Sequence, residues 1–131
     1  MALPFADGSF DRVTIGFSTR NLTDLTEGLR EMVRVLRLGG RLIVLETGYP
    51  SHPLVRAGYY AFLFTVARLI GLVLTGRLWP FTYLARSLQG FLSPPAFIAR
   101  LQSLETTVEY VPLSGGLASV YLATKHRQTT A

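Results

Sequence analysis

Along the chain, apolar and polar positions recur first with the two-residue period of a strand, then with the longer period of a helix. Phe10–Phe17 (FDRVTIGF) is short and β-branched and follows the turn signal Ala6-Asp7-Gly8-Ser9, which predicts a strand. Leu25, Leu29, Met32 and Leu36 then recur at helical spacing, with Glu27, Arg30, Glu31, Arg34 and Arg37 on the other faces. Asp24, with Glu27 three positions later, is an acidic capping pattern for the start of that helix. Gly39-Gly40 is expected to stop it in the left-handed conformation. Arg41–Glu46 (RLIVLE) reads as a strand buried on both faces. Strand, helix and buried strand make a βαβ unit, so the sheet here is expected to be parallel.

The middle of the chain predicts helices over roughly 54–76 and 80–89, with Pro80 suited to a first helical turn. Ser93-Pro94-Pro95 opens a further short helix carrying Phe97, Ile98 and Leu101. Two strands, near 106–112 and 117–124, close the pattern around Ser114-Gly115-Gly116 as an antiparallel hairpin.

Composition sharpens this picture. Of 131 residues, 49% are hydrophobic and 16% charged, which excludes intrinsic disorder. There is no cysteine, so a disulfide framework, a thiolate metal site and a cysteine nucleophile are excluded, and His52 and His126 are too few for a histidine metal cluster. No metal is expected. The net charge of +5 is unevenly placed: residues 1–46 hold six charges of each sign and residues 105–131 two of each. The whole excess lies in 47–104, with Arg56, Arg68, Arg77, Arg86 and Arg100 and no acidic residue. A basic stretch that is also the most apolar favours an anionic lipid surface over nucleic acid. Tyr59–Thr75 is nearly long enough to cross a bilayer, but Arg68 stands close to its centre, which favours a buried or interfacial helix.

The motifs carry more. Leu3-Pro4-Phe5, Asp7, Ser9-Phe10-Asp11, Val13-Thr14-Ile15, Arg20-Asn21, Glu31-Met32, Arg34-Val35-Leu36, Gly39-Gly40, Leu45-Glu46 and Pro50 follow in an order and spacing that resembles the ubiquinone/menaquinone C-methyltransferase family. That family is a branch of the class I S-adenosylmethionine-dependent methyltransferases. Tyr83-Leu84 with Ser87, and Ser114-Gly115-Gly116-Leu117, match its later landmarks. The match extends over nearly the whole chain but only over the C-terminal half of the family's protein. The resemblance implies an α/β fold: the C-terminal half of a Rossmann-like sheet, with a helical insertion and a terminal antiparallel hairpin. On this reading residues 1–131 are one N-terminally truncated domain. Its parts are a strand–helix–strand unit (1–46), an apolar basic insertion (47–104) and a terminal hairpin with tail (105–131).

The same resemblance implies methyl transfer from S-adenosylmethionine to the ring of a prenylated quinol, with the chain alone expected to be inactive. Arg20 and Asn21 are the implied catalytic residues, beside the ring oxygen as it loses its proton; the plain reading makes them a solvated charge and a cap. Gly16 and Phe17 are implied at the cofactor, although a family serine is replaced at Gly16. Glu46 and Tyr83 are implied at the substrate. The family's glycine-rich cofactor loop and ribose-binding acid have no counterpart here. Tyr59, Tyr60, Phe62, Phe64, Trp79 and Phe81 with Tyr83 either line a channel for an isoprenoid tail or form core. Other readings are a class I methyltransferase for another lipophilic acceptor, or a non-catalytic membrane-surface or partner-binding fragment. The expected location is cytoplasmic, peripheral at the inner face of the membrane. A bare apolar edge at Val13 and Ile15 would invite a homo-oligomer.

Overall fold

The structure, a computed structural model, describes residues 2–48 and 50–126, with Phe81 described by its backbone alone. Of the hairpin and tail expected over 105–131, residues 127–131 lie outside the described residues. The chain falls into two units, Met1–Gly48 with Leu92–Ala131, and Tyr49–Phe91.

The first unit is built on β1 (Phe10–Gly16), β2 (Leu36–Thr47), β3 (Thr106–Leu113) and β4 (Ala118–Lys125), in the order β1-β2-β4-β3. β1 and β2 are parallel, as the βαβ pattern predicts, and β4 runs antiparallel to both β2 and β3. Alternation along the paired strands puts Val13, Ile15, Leu42, Val44, Tyr121 and Ala123 on one face. Two helices cover that face, α1 (Leu25–Arg34) and α5 (Pro94–Gln102), tied side by side by Arg100 donating to the Thr26 hydroxyl. Leu29, Leu42, Val44, Phe97, Leu101 and Ala123 are fully buried there, and the Phe97 ring lies 4.6 Å from that of Tyr121. Each large apolar side chain so buried contributes about 1.5–3 kcal/mol.

Asp24 caps α1 as its spacing predicts, its carboxylate accepting from the Glu27 N–H at 2.9 Å. The far end differs. Gly39-Gly40 does not stop the helix, because α1 ends at Arg34 and β2 begins at Leu36. The Phe10 N–H donates to the Val35 carbonyl at 2.9 Å and Leu36 pairs with Phe10, so strand pairing takes the chain before another helical turn forms. The register then jumps from Phe10↔Leu36 to Arg12↔Arg41, leaving residues 37–40 as a bulge inside β2. Gly39 adopts φ +75°, and a Cβ on Gly40 would stand 2.8 Å from the Arg37 carbonyl and 3.1 Å from that of Asp11. The diglycine is a bulge device. At the other end of β2, Gly48 meets the turn at Ser114–Gly116 backbone to backbone. A Cβ on Gly48 would lie 1.8 Å from the Gly116 carbonyl oxygen.

Arg34 clasps the segment before β1. Its guanidinium donates to the Phe5 carbonyl (2.9 Å), the Leu3 carbonyl (3.1 Å), Asp7 (2.5 Å) and both oxygens of Glu31 (2.7 and 2.9 Å). The Leu3 N–H also donates to Glu31 at 2.8 Å. The Arg34 hydrogen bonds first, and then the Leu3 N–H, pull the Glu31 carboxyl down to about 2 from an ordinary 4.5.

The second unit contains α2 (Pro53–Phe62), a π turn at Leu63–Ala67, α3 (Arg68–Thr75) and α4 (Trp79–Gln89). His52 caps α2, its ring Nδ1 accepting from the Leu54 N–H at 3.3 Å. Together α2, the π turn and α3 make one helix of 23 residues, closed by Gly76 at φ +67°. Pro80 sits in the first turn of α4, as expected. Leu63, Ala85 and Leu88 form a small buried cluster with Tyr59, Tyr60, Phe64, Ala67 and Leu84 packed against it. Most of the long helix lies outside that cluster: only 11% of its most apolar stretch is buried.

Gly48→Ala should lower stability by about 1–3 kcal/mol, because β2 and the 114–116 turn must move apart. Its urea midpoint will fall accordingly. The Glu31 clasp should fail in acid: with a depressed native pKa its stabilisation is complete above 4.5 and fades as pH falls toward 2. Over that window the thermal midpoint of the wild type should drop more steeply than that of Glu31→Gln.

Candidate functional site

In an open parallel sheet, ligands bind beyond the carboxyl ends of the strands. Here those ends are Gly16 and Thr47, and the chain after β1 folds back between them. The Phe17 N–H extends the parallel ladder to the Leu45 carbonyl at 2.7 Å. Phe17 itself takes φ +52°, a left-handed conformation that a bulky residue adopts only under constraint. The Ser18 hydroxyl donates to the Gly16 carbonyl at 2.9 Å, and Thr19–Asn21 close a single 3₁₀ turn.

That turn delivers Thr19 and Arg20 onto Glu46. Glu46 is 1% exposed on the helix-covered face of β2, where alternation puts it in line with Leu42 and Val44. One of its oxygens, Oε1, accepts from both the Thr19 N–H (2.8 Å) and the Thr19 hydroxyl (2.6 Å). The other, Oε2, accepts from Arg20 Nη1 and from the Thr47 N–H, each at 3.3 Å. The Arg20 side chain is 12% exposed, and its Nε is buried with no hydrogen-bond partner among the described residues. The Thr47 hydroxyl is also buried without a partner among them. Across the sheet from Glu46, in register, lies the buried Ser119, whose hydroxyl shares a 3.2 Å hydrogen bond with Tyr110. Burial first, with Tyr110 and Glu46 adding to it, pushes the neighbouring Tyr121 phenol up to about 12, so it is neutral at ordinary pH.

The structure thus brings Arg20, Asn21, Glu46, Gly16 and Phe17 to one end of the sheet. Tyr83 stands in the second unit, on α4, stacked on Trp79 with ring centroids 5.8 Å apart. With Thr82, Arg86 and Ser87 these two rings line a groove of about 360 Å³. Thr19 escaped the sequence reading. Its only signal is a hydroxyl in the residue just before Arg20, which periodicity does not mark.

The sequence profile of the ubiE/COQ5 methyltransferase family matches residues 1–125. The chain belongs to this family. It is 38% identical, over 95% of its length, to the "ubiquinone/menaquinone biosynthesis C-methyltransferase UbiE" of Geotalea uraniireducens, covering 53% of that protein. It is 36% identical, over 93% of its length, to a demethylmenaquinone methyltransferase of Thermus thermophilus, covering 56% of it. The chain therefore spans about half the length of the ubiE/COQ5 relatives it matches. In fold it is similar to a SAM-dependent methyltransferase of Thermotoga maritima, with a TM-score of 0.63 over 94% of this chain and 59% of that one, at 19% identity. A second such enzyme, from Aquifex aeolicus, aligns with a TM-score of 0.57 over 94% of this chain and 50% of that one, at 13% identity. These likenesses make the sheet part of a class I methyltransferase fold.

S-adenosylmethionine needs a backbone cradle at its methionyl end and acceptors for its ribose hydroxyls. Gly16 is exposed and nothing lies within 4 Å of where its Cβ would stand, so it lines open space and no cradle. Among the described residues, the carboxylate ending β2 is that of Glu46, already filled by Thr19, Arg20 and the Thr47 N–H. The residues at these strand ends do not by themselves fit the cofactor.

Proposed function

We propose that this chain is the acceptor-binding portion of an S-adenosylmethionine-dependent C-methyltransferase that methylates the ring of a prenylated quinol, and that it is inactive by itself. One observation carries the reading. In a ubiE/COQ5 chain, a nearly buried guanidinium stands at the carboxyl end of the parallel strand pair, held by the buried Glu46. A ring carbon is methylated only when the ring is electron-rich, as a phenolate-like oxygen makes it. A fixed cation beside that oxygen stabilises the charge as the hydroxyl proton leaves, with no reorganisation at the moment of reaction. Arg20 supplies that cation, and Asn21 orients the oxygen or a water beside it. Glu46 belongs to the same rim, and Gly16 and Phe17 border the cofactor's side. Tyr83 offers an aromatic face to the substrate.

The second unit supports a lipid-side role. Leu54, Leu69, Val73, Leu74 and Trp79 are each 61–77% exposed, interspersed with Arg56, Arg68, Arg77 and Arg86 and with no acidic residue. A helix of this kind rests in the headgroup region with its arginines reaching the surface charge. We therefore read the protein as cytoplasmic and peripheral at the inner face of the membrane, where a prenylated substrate dissolves. The outer edge of β1 is unpaired among the described residues, which favours association with another polypeptide, a second copy included.

In a protein that carries this chain together with a cofactor-binding part, Arg20→Lys should keep the charge opposite Glu46 yet lower turnover tenfold or more, a loss of about 1.4 kcal/mol of transition-state stabilisation. Cofactor affinity should be unchanged. Turnover within threefold of the parent would make Arg20 a structural partner of Glu46 with no part in catalysis. Co-sedimentation with vesicles should require anionic lipid, because each arginine near the surface adds about 1 kcal/mol. Binding should be reversed by salt as the Debye length shrinks below about 10 Å.

A further inference from the structure

We propose that Thr19 and Glu46 are positioning residues that clamp the Arg20 guanidinium in place for the acceptor oxygen. This rests on the reading of Arg20 given above and assigns Glu46 a role through Arg20 instead of a contact with substrate. A carboxylate offers about four lone-pair directions. Glu46 already has four donors: the Thr19 N–H and hydroxyl on Oε1, and Arg20 Nη1 and the Thr47 N–H on Oε2. It has no capacity left for a quinol hydroxyl.

The manner of the ion pair points the same way. Arginine–carboxylate pairs are frequently bidentate, through two parallel N–H groups. Arg20 gives Glu46 one contact, at 3.3 Å, and its Nε is buried with no partner among the described residues. Leaving a donor of a charged group buried and unpaired is costly, and native structures rarely tolerate it without a purpose. Shielded in this way, the Nε–H reports on whether the guanidinium is held in place. Thr19 makes this possible. Being 1% exposed, it uses both of its donors on Oε1, which fixes the carboxylate plane and so the side from which the guanidinium approaches. The left-handed Phe17, two residues earlier, is the backbone strain that this placement entails.

The test is NMR of the 131-residue chain labelled with ¹⁵N at arginine, following the Arg20 Nε–H. Its exchange with water should be slow in the wild type and in Thr19→Ser. It should accelerate tenfold or more in Thr19→Val, which keeps the shape but loses the hydroxyl, and in the isosteric Glu46→Gln. Backbone amide shifts outside residues 16–22 and 44–48 should stay in place, and Thr19→Ser distinguishes loss of the clamp from loss of the fold. Slow exchange retained in both Thr19→Val and Glu46→Gln would overturn the proposal. A second arm adds 1,4-naphthohydroquinone under reducing conditions. If it moves the Arg20 Nε resonance equally in the wild type and in Thr19→Val, the clamp fails while the reading of Arg20 stands. If it moves the resonance in neither although the exchange rates respond as expected, the clamp stands and the quinol reading of Arg20 fails.

Discussion

The alternation of side chains along β2 is the constraint from which the site follows. A strand hydrogen-bonded on both sides places every second residue on the same face, so the positions that send Leu42 and Val44 into the core send Glu46 there too. A carboxylate so placed must be fully hydrogen-bonded or it unfolds the end of the strand. The chain after β1 answers by turning back through Phe17 and a single 3₁₀ turn, which brings Thr19 and Arg20 onto that carboxylate. The strained backbone, the buried threonine and the nearly buried arginine are one solution to one burial problem.

The sequence made the fold legible wherever a local signal had one structural meaning. Asp24 and Glu27 mark a cap, Pro80 and Pro94 mark first turns, and Ser114-Gly115-Gly116 joins two strands; each stands where it was expected. Gly39-Gly40 had two meanings. A left-handed glycine ends a helix or makes a bulge with equal ease, and the choice between them was made by Phe10 pairing with Leu36, a contact that local pattern does not contain. The π turn at Leu63–Ala67 escaped for a similar reason: in a helix that is apolar on most sides, a shift of one residue leaves no trace in periodicity.

The site was legible in a different way. Arg20, Asn21 and Glu46 were picked out by their resemblance to a family, since neither spacing nor composition distinguishes them from surface residues. The structure adds what a motif cannot express, that Glu46 is buried and saturated and that the residue saturating it is Thr19. Gly16 and Phe17 mark the limit of the same approach. They stand at the expected strand end, but the space above Gly16 is open, so a motif position alone does not make a cofactor cradle.

The distribution of aromatic residues between the two units has an optical consequence. Trp79 is the sole tryptophan, is 74% exposed and belongs to Tyr49–Phe91, whereas the sheet carries Tyr110 and Tyr121 with rings 5.2 Å apart. Light absorbed at the red edge of the aromatic band is taken up by the indole alone, so intrinsic fluorescence excited there reports on the helical unit and is blind to the sheet. A melting curve followed by that emission would describe the loosening of α4 around Trp79. Only a probe of the strands themselves would say whether β2 was still paired.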